Sequence, residues 1–211
     1  MFDRSAITEG RTIQEFGLCD VKGVYQNTAK LRAKGWLAVL FFDPSDAYSA
    51  SVAAQLQEWA TTLPGDKLSV VGVGRGERAD LVKFAADKAL TYTVLWDLED
   101  YTLGLWGVTA LPTLFVTNAQ GSVLAKIAGD DKPAIAAAKA VLEVGIQKAA
   151  EAAAAAKAAE EAAKAAAAAA PPPPPAPAPA AVAAPAPPAD NPTPAKAETP
   201  ADKGDKKSKK K

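Results

Sequence analysis

The sequence predicts an α/β domain with a mixed β-sheet flanked by helices, followed by a long Ala-rich helix and a Pro/Ala/Lys-rich tail. All four Trp, six Phe and four Tyr lie within residues 1–148, where short apolar runs alternate with amphipathic segments. From Glu151 onward there is no aromatic residue. A segment without large apolar side chains cannot bury enough surface to offset its ordering entropy. We therefore divide the chain into a folded domain (1–148), an Ala-rich helical extension (149–170) and a disordered Pro/Ala-rich tail with a basic end (171–211).

The strands of the predicted sheet are short apolar runs bounded by turn residues. A continuous apolar run is typical of a strand that is buried on both faces. Residues 36–42 and 68–73 have this pattern, and residues 93–96 form a shorter strand. Two further runs, 113–117 and 122–127, flank a Gly-containing turn and predict a β-hairpin. Alternating strands and helices that end in a hairpin and a helix favour a mixed sheet.

Helices are predicted between these strands, where apolar residues recur at helical spacing. The predicted helices cover residues 48–62, 78–88 and 98–106, and a small additional hairpin is expected around Gly23 near the start of the domain. In the second helix we expect the inward-facing residues to be Leu81, Val82, Phe84 and Ala85.

The last helix is predicted to start at Asp131, with Asp as the N-cap residue and Pro133 in the first turn. The pattern continues in Ala, Lys and Glu as far as Ala170, and the proline run 171–175 ends it. The residues expected to pack against the sheet are Ile135, Val141, Leu142 and Ile146.

The sequence contains few side chains of the types that most often act as nucleophiles, general bases or metal ligands. Cys19 is the one cysteine, so there is no internal disulfide and no site with several cysteine ligands. There is no histidine, which removes the commonest general base and metal ligand. We expect no cofactor, no metal and no catalytic residue. Cys19 is expected to be an inert, buried small hydrophobic residue.

The N-terminal residues and the apolar content bear on location. The first ten residues contain no basic segment followed by an apolar run, so they do not have the pattern of a signal peptide. Outside the Ala tract no apolar stretch approaches about 18 residues, the length needed to cross a membrane. We therefore expect no transmembrane segment and a cytoplasmic location.

Several segments resemble the redoxin superfamily, which comprises the peroxiredoxins and the thioredoxin-like thiol-disulfide oxidoreductases. The resemblance covers about residues 16–129, and it is the order and spacing of the segments that make it specific. It implies a thioredoxin-like fold. The matching segments are Phe16-Gly-Leu-Cys-Asp-Val-Lys-Gly23, Val70-Val-Gly-Val73, Phe84-Ala-Ala-Asp-Lys88, Trp106-Gly-Val108 and Pro112-Thr-Leu-Phe-Val-Thr-Asn-Ala-Gln-Gly121.

This resemblance also identifies the positions of the family's active-site loop. In the peroxiredoxin pattern Pro-x-x-x-Thr-x-x-Cys, Tyr48 takes the Thr position and Ser51 the Cys position. In the thioredoxin-type pattern Cys-x-x-Cys, Asp46 and Ser49 take the two cysteine positions. Pro112 takes the position of the thioredoxin-type cis-proline, where a peroxiredoxin commonly carries an Arg. We treat these five residues as vestigial active-site positions.

Neither register of this loop contains sulfur, whereas peroxide reduction and disulfide exchange both need a thiolate nucleophile. We therefore predict that the chain is not an enzyme but a redox-inactive structural or protein-interaction component with an unknown protein partner, tethered by its C-terminal extension and able to form a homo-oligomer. One alternative is a thiol oxidoreductase or peroxidase-like enzyme that uses Cys19 or an altered active site. Two simpler interpretations also stay open. The loop residues can serve as an ordinary helix N-terminus, and Pro112 can either shape the loop or retain binding of an extended peptide.

A cluster of lysines at the C-terminus suggests a further alternative, an accessory protein that binds an anionic partner. Such a cluster attracts anionic surfaces, and the binding is weak, non-specific and sensitive to salt. The anion-binding candidates are Lys206, Lys207, Lys209, Lys210 and Lys211.

Overall fold

The computed structural model describes the backbone of residues 7–169 and the side chains of residues 7–164. The strands are β1 (Gly17–Cys19), β2 (Tyr25–Asn27), β3 (Trp36–Phe42), β4 (Leu68–Gly74), β5 (Thr93–Trp96), β6 (Thr113–Thr117) and β7 (Val123–Ala128). The helices are α1 (Thr28–Arg32), α2 (Ala47–Thr62), α3 (Arg78–Asp87), α4 (Tyr101–Trp106), which follows a 3-10 turn at Leu98–Asp100, and α5 (Lys132–Ala169).

The strands form a five-stranded mixed sheet in the order β5-β4-β3-β6-β7 and a separate two-stranded sheet, β1-β2. Strands β3, β4 and β5 are parallel, whereas β6 runs antiparallel to β3 and β7 antiparallel to β6. This confirms the predicted fold class, the terminal hairpin and the small hairpin near the start of the domain. Because β6 is antiparallel to β3, its first residue lies at the edge where β3, β4 and β5 end.

The core has one apolar layer on each face of the sheet, because successive residues of β3 point to opposite faces. Ala38, Leu40 and Phe42 contact the layer that includes α2 and α5. Leu37, Val39 and Phe41 contact the other layer, which includes Trp106 of α4. The Trp106 ring is fully buried and packs 5.3 Å from the Phe41 ring and 5.0 Å from the Phe115 ring, measured between ring centroids. This aromatic cluster fixes α4 against the sheet.

The start of α5 agrees with the prediction, since the Ala134 N–H donates to Asp131 Oδ1 at 3.1 Å. Further along, Gly145 allows the ring of Trp36 to pack directly on the helix, because a Cβ at this position would overlap that ring. The helix continues past residue 148 without a break, and every described side chain from 147 to 164 is exposed. The domain boundaries proposed from the sequence stay predictions.

Three predictions of burial are wrong. Val82 is 46% exposed and Val141 is 49% exposed, because each lies about 100° around its helix from the buried Leu81 or Leu142. Cys19 is exposed rather than buried. It belongs to the two-stranded sheet, where Leu18 is the residue that turns towards the core.

Among the described residues, no helix is both long enough and apolar enough to cross a membrane. The five lysines proposed as an anion-binding cluster lie outside the described residues.

Candidate functional site

The edge of the sheet at which the parallel strands end carries a cleft. Its volume is about 420 Å³, and it collects residues that follow β3, β4 and β5 and residues that precede β6. Loops at the carboxyl ends of parallel strands are where binding sites of open α/β sheets usually lie. The lining residues are Asp43, Asp46, Arg75, Asp100, Leu103, Gly104 and residues 108–111.

The N-terminus of α2 brings Asp46 and Ser49 together. Asp46 is the N-cap residue, and its Oδ2 accepts the Ser49 N–H at 2.7 Å. Ser49 is fully buried, and its Oγ accepts the Asp43 N–H at 3.2 Å. Burial acts to raise the pKa of Asp46, but the hydrogen bonds from Ser49 and from the Tyr48 N–H outweigh it and hold that pKa below its ordinary value. Asp46 is therefore an anion in the lining of the cleft.

Of the four positions in the predicted active-site loop, Asp46 belongs to the cleft lining and the other three do not. Tyr48 is 66% exposed in the first turn of α2, and Ser51 is half-buried one residue beyond the capping region. The structure therefore joins the Cys-x-x-Cys positions, Asp46 and Ser49, by a hydrogen bond at the N-terminus of α2, although Asp46 alone of the two lines the cleft. The peroxiredoxin cysteine position, Ser51, lies farther along the helix.

Pro112 has the predicted geometry, because the Leu111–Pro112 peptide bond is cis. Pro112 is buried, and its C=O accepts the Gly129 N–H at 2.7 Å. On the preceding residues, the Ala110 C=O accepts the Thr113 hydroxyl at 2.7 Å. The N–H and C=O of Leu111 have no hydrogen-bond partner within the described part of the chain. Leu111 thus presents an unpaired donor and an unpaired acceptor at the rim of the cleft.

A charged network that sequence reasoning missed crosses the cleft. The Arg75 guanidinium lies 3.1 Å from the Asp100 carboxylate and 3.9 Å from the Asp43 carboxylate. With Asp46, the lining holds three carboxylates and one guanidinium, so the cleft is net negative. Arg75 directly follows β4, and the rule that sites form at strand ends was the signal in the sequence that could have identified it.

The wall formed by α4 depends on a second residue that sequence reasoning missed, Asp97. Its carboxylate is buried and accepts the N–H groups of Thr102 and Leu103, each at 2.9 Å. Burial raises the pKa of Asp97 above its ordinary value, against the lowering effect of these hydrogen bonds, and the charge of Asp100 adds to the rise. Glu99 and Asp100 adopt left-handed backbone conformations, with φ of 61° and 56°. The Asp97 carboxylate and the Arg75–Asp100 ion pair hold this unusual segment in place.

Known proteins resemble the chain over this region. A family model described as the AhpC/TSA family matches residues 10–126. The thiol-disulfide oxidoreductase ResA of Geobacillus thermodenitrificans is 26% identical over 128 residues, which are 60% of this chain and 73% of that protein. Similar solved structures include one named thiol:disulfide interchange protein DsbE from Chlorobium tepidum (TM-score 0.58, 22% identity, 68% of this chain and 99% of that one). Another is the peroxidoxin BcpB from Mycobacterium tuberculosis (TM-score 0.56, 22% identity, 64% of this chain and 98% of that one).

These likenesses confirm the resemblance to the redoxins and the thioredoxin-like fold. They also correct one prediction. The chain was expected not to be an enzyme because its active-site loop lacks cysteine, yet the relatives are named as oxidoreductases and a peroxidoxin, which are enzymes. The family therefore points to an oxidoreductase, and the replacement of two cysteine positions by Asp46 and Ser49 does not by itself establish loss of catalysis.

Proposed function

Because the chain belongs to the AhpC/TSA family, we propose that its cleft binds an extended segment of a partner protein beside Pro112. The observation that supports this proposal best is the unpaired N–H and C=O of Leu111. An extended peptide that adds to an exposed strand end gains main-chain hydrogen bonds of this kind. The proposal gives the chain a protein-interaction role at the position of the family's active site.

The sheet register explains why Leu111 is left without a partner. Strand β6 pairs with β3 as far as Thr113 opposite Phe41, and continuing this register would place Leu111 opposite Asp43. The Asp43 N–H instead donates to Ser49 Oγ, and Pro112 has no N–H to extend the ladder. Pairing therefore stops two residues short, and the groups of Leu111 remain available to another extended chain.

The charges of the cleft indicate the chemistry of that partner segment. Asp43, Asp46 and Asp100 outnumber Arg75, so a segment that carries Lys or Arg is favoured over an acidic one. Tyr101 directly follows the lining residue Asp100 and Tyr48 lies two positions after Asp46, and these tyrosines are 64% and 66% exposed. Exposed tyrosines provide contact area at low entropic cost, as they do in many protein interfaces.

A peptide titration of the ¹⁵N-labelled full chain tests this proposal. We expect ten-residue peptides with central lysines to shift the amide resonances of Leu111 and Ser49, and matched peptides with central glutamates to bind more weakly. The double variant Asp46→Asn with Asp100→Asn keeps a capping side chain and a residue that tolerates the left-handed conformation. Exposed charge pairs contribute about 0.2–1 kcal/mol each, so two losses should weaken binding of the lysine peptides about two- to thirtyfold.

The matched control is the double variant Asp66→Asn with Glu151→Gln, which removes two exposed carboxylates outside the cleft and should leave peptide affinity unchanged. Peptides that never perturb Leu111, or that bind equally well to the Asp46→Asn, Asp100→Asn variant, would rule out this cleft as the binding site.

A second candidate function is thiol-disulfide exchange through Cys19, which the family and the exposure of this thiol favour. The Cys19 thiolate would attack a partner disulfide, form a mixed disulfide and release one partner thiolate. One glutathione thiolate would then release Cys19 and leave the partner bound to glutathione, and a second would free the partner and form oxidised glutathione. We expect the parent chain to catalyse glutathione-dependent disulfide reduction and the Cys19→Ser variant not to. Equal rates for the parent and the variant would exclude Cys19 as the nucleophile.

A further inference from the structure

A second cavity lies at the opposite edge of the sheet from the cleft, where β4 and β5 begin. Its volume is about 330 Å³, near the lower end of the range for small-molecule sites. The polar residues that line it come from β2, α1 and the turn after it, and from the starts of β4 and β5. They are Gln26, Lys30, Lys34, Ser69, Thr91 and Thr93. We propose that this polar cavity binds the phosphate monoester of a small, hydroxyl-bearing molecule.

The charge of the polar cavity supports an anionic ligand. Lys30 and Lys34 line it, whereas its lining includes no Asp or Glu. Neither lysine forms an ion pair within the described part of the chain, and the neighbouring Asp66 pairs with Lys67 at 3.4 Å. A phosphate monoester carries close to two negative charges at neutral pH, which matches two ammonium groups. Tyr92 also lines the cavity, but burial raises its pKa, so its hydroxyl stays neutral at physiological pH.

The uncharged polar side chains support a ligand with hydroxyl groups. Gln26, Ser69 and Thr93 are half-buried, and their side chains have no hydrogen-bond partner among the described residues. Their polar groups can therefore exchange water for the hydrogen-bonding groups of a ligand. Thr91 is positioned differently, because its N–H and hydroxyl are both bonded to the Gln57 side chain, at 2.8 and 2.9 Å. Thr91 therefore stabilises the rim, and the other three side chains are available to a ligand.

The choice of a phosphate monoester follows from these two sets of groups together. Lysine is a common phosphate ligand and acts as a point charge, so the two lysines of one lining can both contribute to holding one phosphate. The amide and hydroxyl groups can both donate and accept, which suits the hydroxyls of a sugar or polyol. A carboxylate ligand would leave one of the two ammonium charges uncompensated.

The test titrates the full chain with glucose 6-phosphate, glucose and inorganic phosphate, following ¹⁵N amide shifts and the heat of binding. We expect saturable binding of glucose 6-phosphate, with shifts at Lys30, Ser69 and Thr93, and at least tenfold weaker binding of glucose. The double variant Lys30→Gln with Lys34→Gln should weaken glucose 6-phosphate at least tenfold. The control Lys148→Gln with Lys157→Gln makes the same charge change on the exposed part of α5 and should leave the affinity unchanged.

A third variant, Ser69→Ala with Thr93→Val, should weaken glucose 6-phosphate while leaving inorganic phosphate unaffected, because it removes only the hydroxyl contacts. The proposal is overturned if glucose 6-phosphate shows no saturable binding up to 10 mM, or if its shifts fall at the cleft. It is also overturned if both lysine double variants lose affinity equally, since that would indicate a general charge effect.

Discussion

Replacing Asp46 and Ser49 by cysteine should install a disulfide at the start of α2. The two residues are three positions apart in the first turn, where helical geometry gives a Cα–Cα distance of about 5 Å. Disulfides span Cα–Cα distances of about 4.4–6.8 Å, so the pair can close without moving the backbone. A Cys19→Ser background leaves the new pair as the two thiols of the chain.

The expected change in stability can be worked out from the contacts that are lost. Asp46→Cys removes a capping hydrogen bond of 2.7 Å, at a cost of about 1 kcal/mol. Ser49→Cys removes the buried acceptor of the Asp43 N–H, at a cost of about 1 kcal/mol. Closing a four-residue loop with a disulfide recovers about 2 kcal/mol. The reduced variant should therefore be about 2 kcal/mol less stable than the parent, and the oxidised variant about equal to it.

Thiol titration before and after mild oxidation, with urea unfolding in the presence and absence of dithiothreitol, measures both quantities. The matched control moves the pair to Asp46 and Ser51, whose helical positions cannot be bridged in the same way. Two thiols that stay free in the folded protein, or an oxidised variant no more stable than the reduced one, would show that Asp46 and Ser49 do not occupy a Cys-x-x-Cys geometry.

Three further predictions concern the fold around the cleft. Because burial raises the pKa of Asp97 above its ordinary value of 3.8, the folded chain binds this proton more tightly than the unfolded chain, and stability should fall as pH rises through the interval above 3.8. Asp97→Asn should abolish this fall in the free energy of unfolding, measured with urea at several pH values. If the fall is the same in the variant, a group other than Asp97 causes it. Gly145→Leu should cost about 1–3 kcal/mol because its side chain would overlap the Trp36 ring, whereas the exposed Val144→Leu should be nearly neutral. A chain that ends at Lys148 should melt within about 2 °C of the full chain, since the described side chains beyond it are exposed. A larger fall in the melting temperature would show that the extension packs against the domain or associates with another copy.

The strands could be predicted almost residue by residue because their pattern is local. Continuous apolar runs such as 36–42 are buried on both faces of the sheet, and turn residues mark their ends. The buried face of a helix was harder to predict. Val82 is as apolar as its buried neighbour Leu81, so the residue type alone does not show that Val82 lies about 100° away from the core-facing side. The short helix α1 was missed. It has five residues, and the cap provided by Asn27 Oδ1 on the Lys30 N–H helps to fix it.

Only those residues of the cleft region that belong to a motif with fixed spacing could be predicted from the sequence. The Cys-x-x-Cys pattern pointed to Asp46, which lines the cleft, and to Ser49, which is bonded to it; the cis-proline position pointed to Pro112, which follows the lining residue Leu111. Arg75 and Asp100 are 25 positions apart and meet because β4 and β5 end at the same edge of the sheet. Nothing in the local sequence around either residue specifies that ion pair, so it became visible only with the tertiary structure.

The cleft separates two requirements that a redoxin active site normally meets together. Recognition of an extended partner, as proposed above, needs a backbone edge, and here that edge results from Pro112, which has no N–H, and from the diversion of the Asp43 N–H to Ser49 Oγ. Exchange of electrons needs a thiolate, and the sequence supplies one only at Cys19. Because the backbone edge does not depend on sulfur, peptide binding at Leu111 should persist in Cys19→Ser, while any glutathione-dependent disulfide reduction should be lost. Loss of both in that single variant would show that the two activities share one site, contrary to the separation argued here.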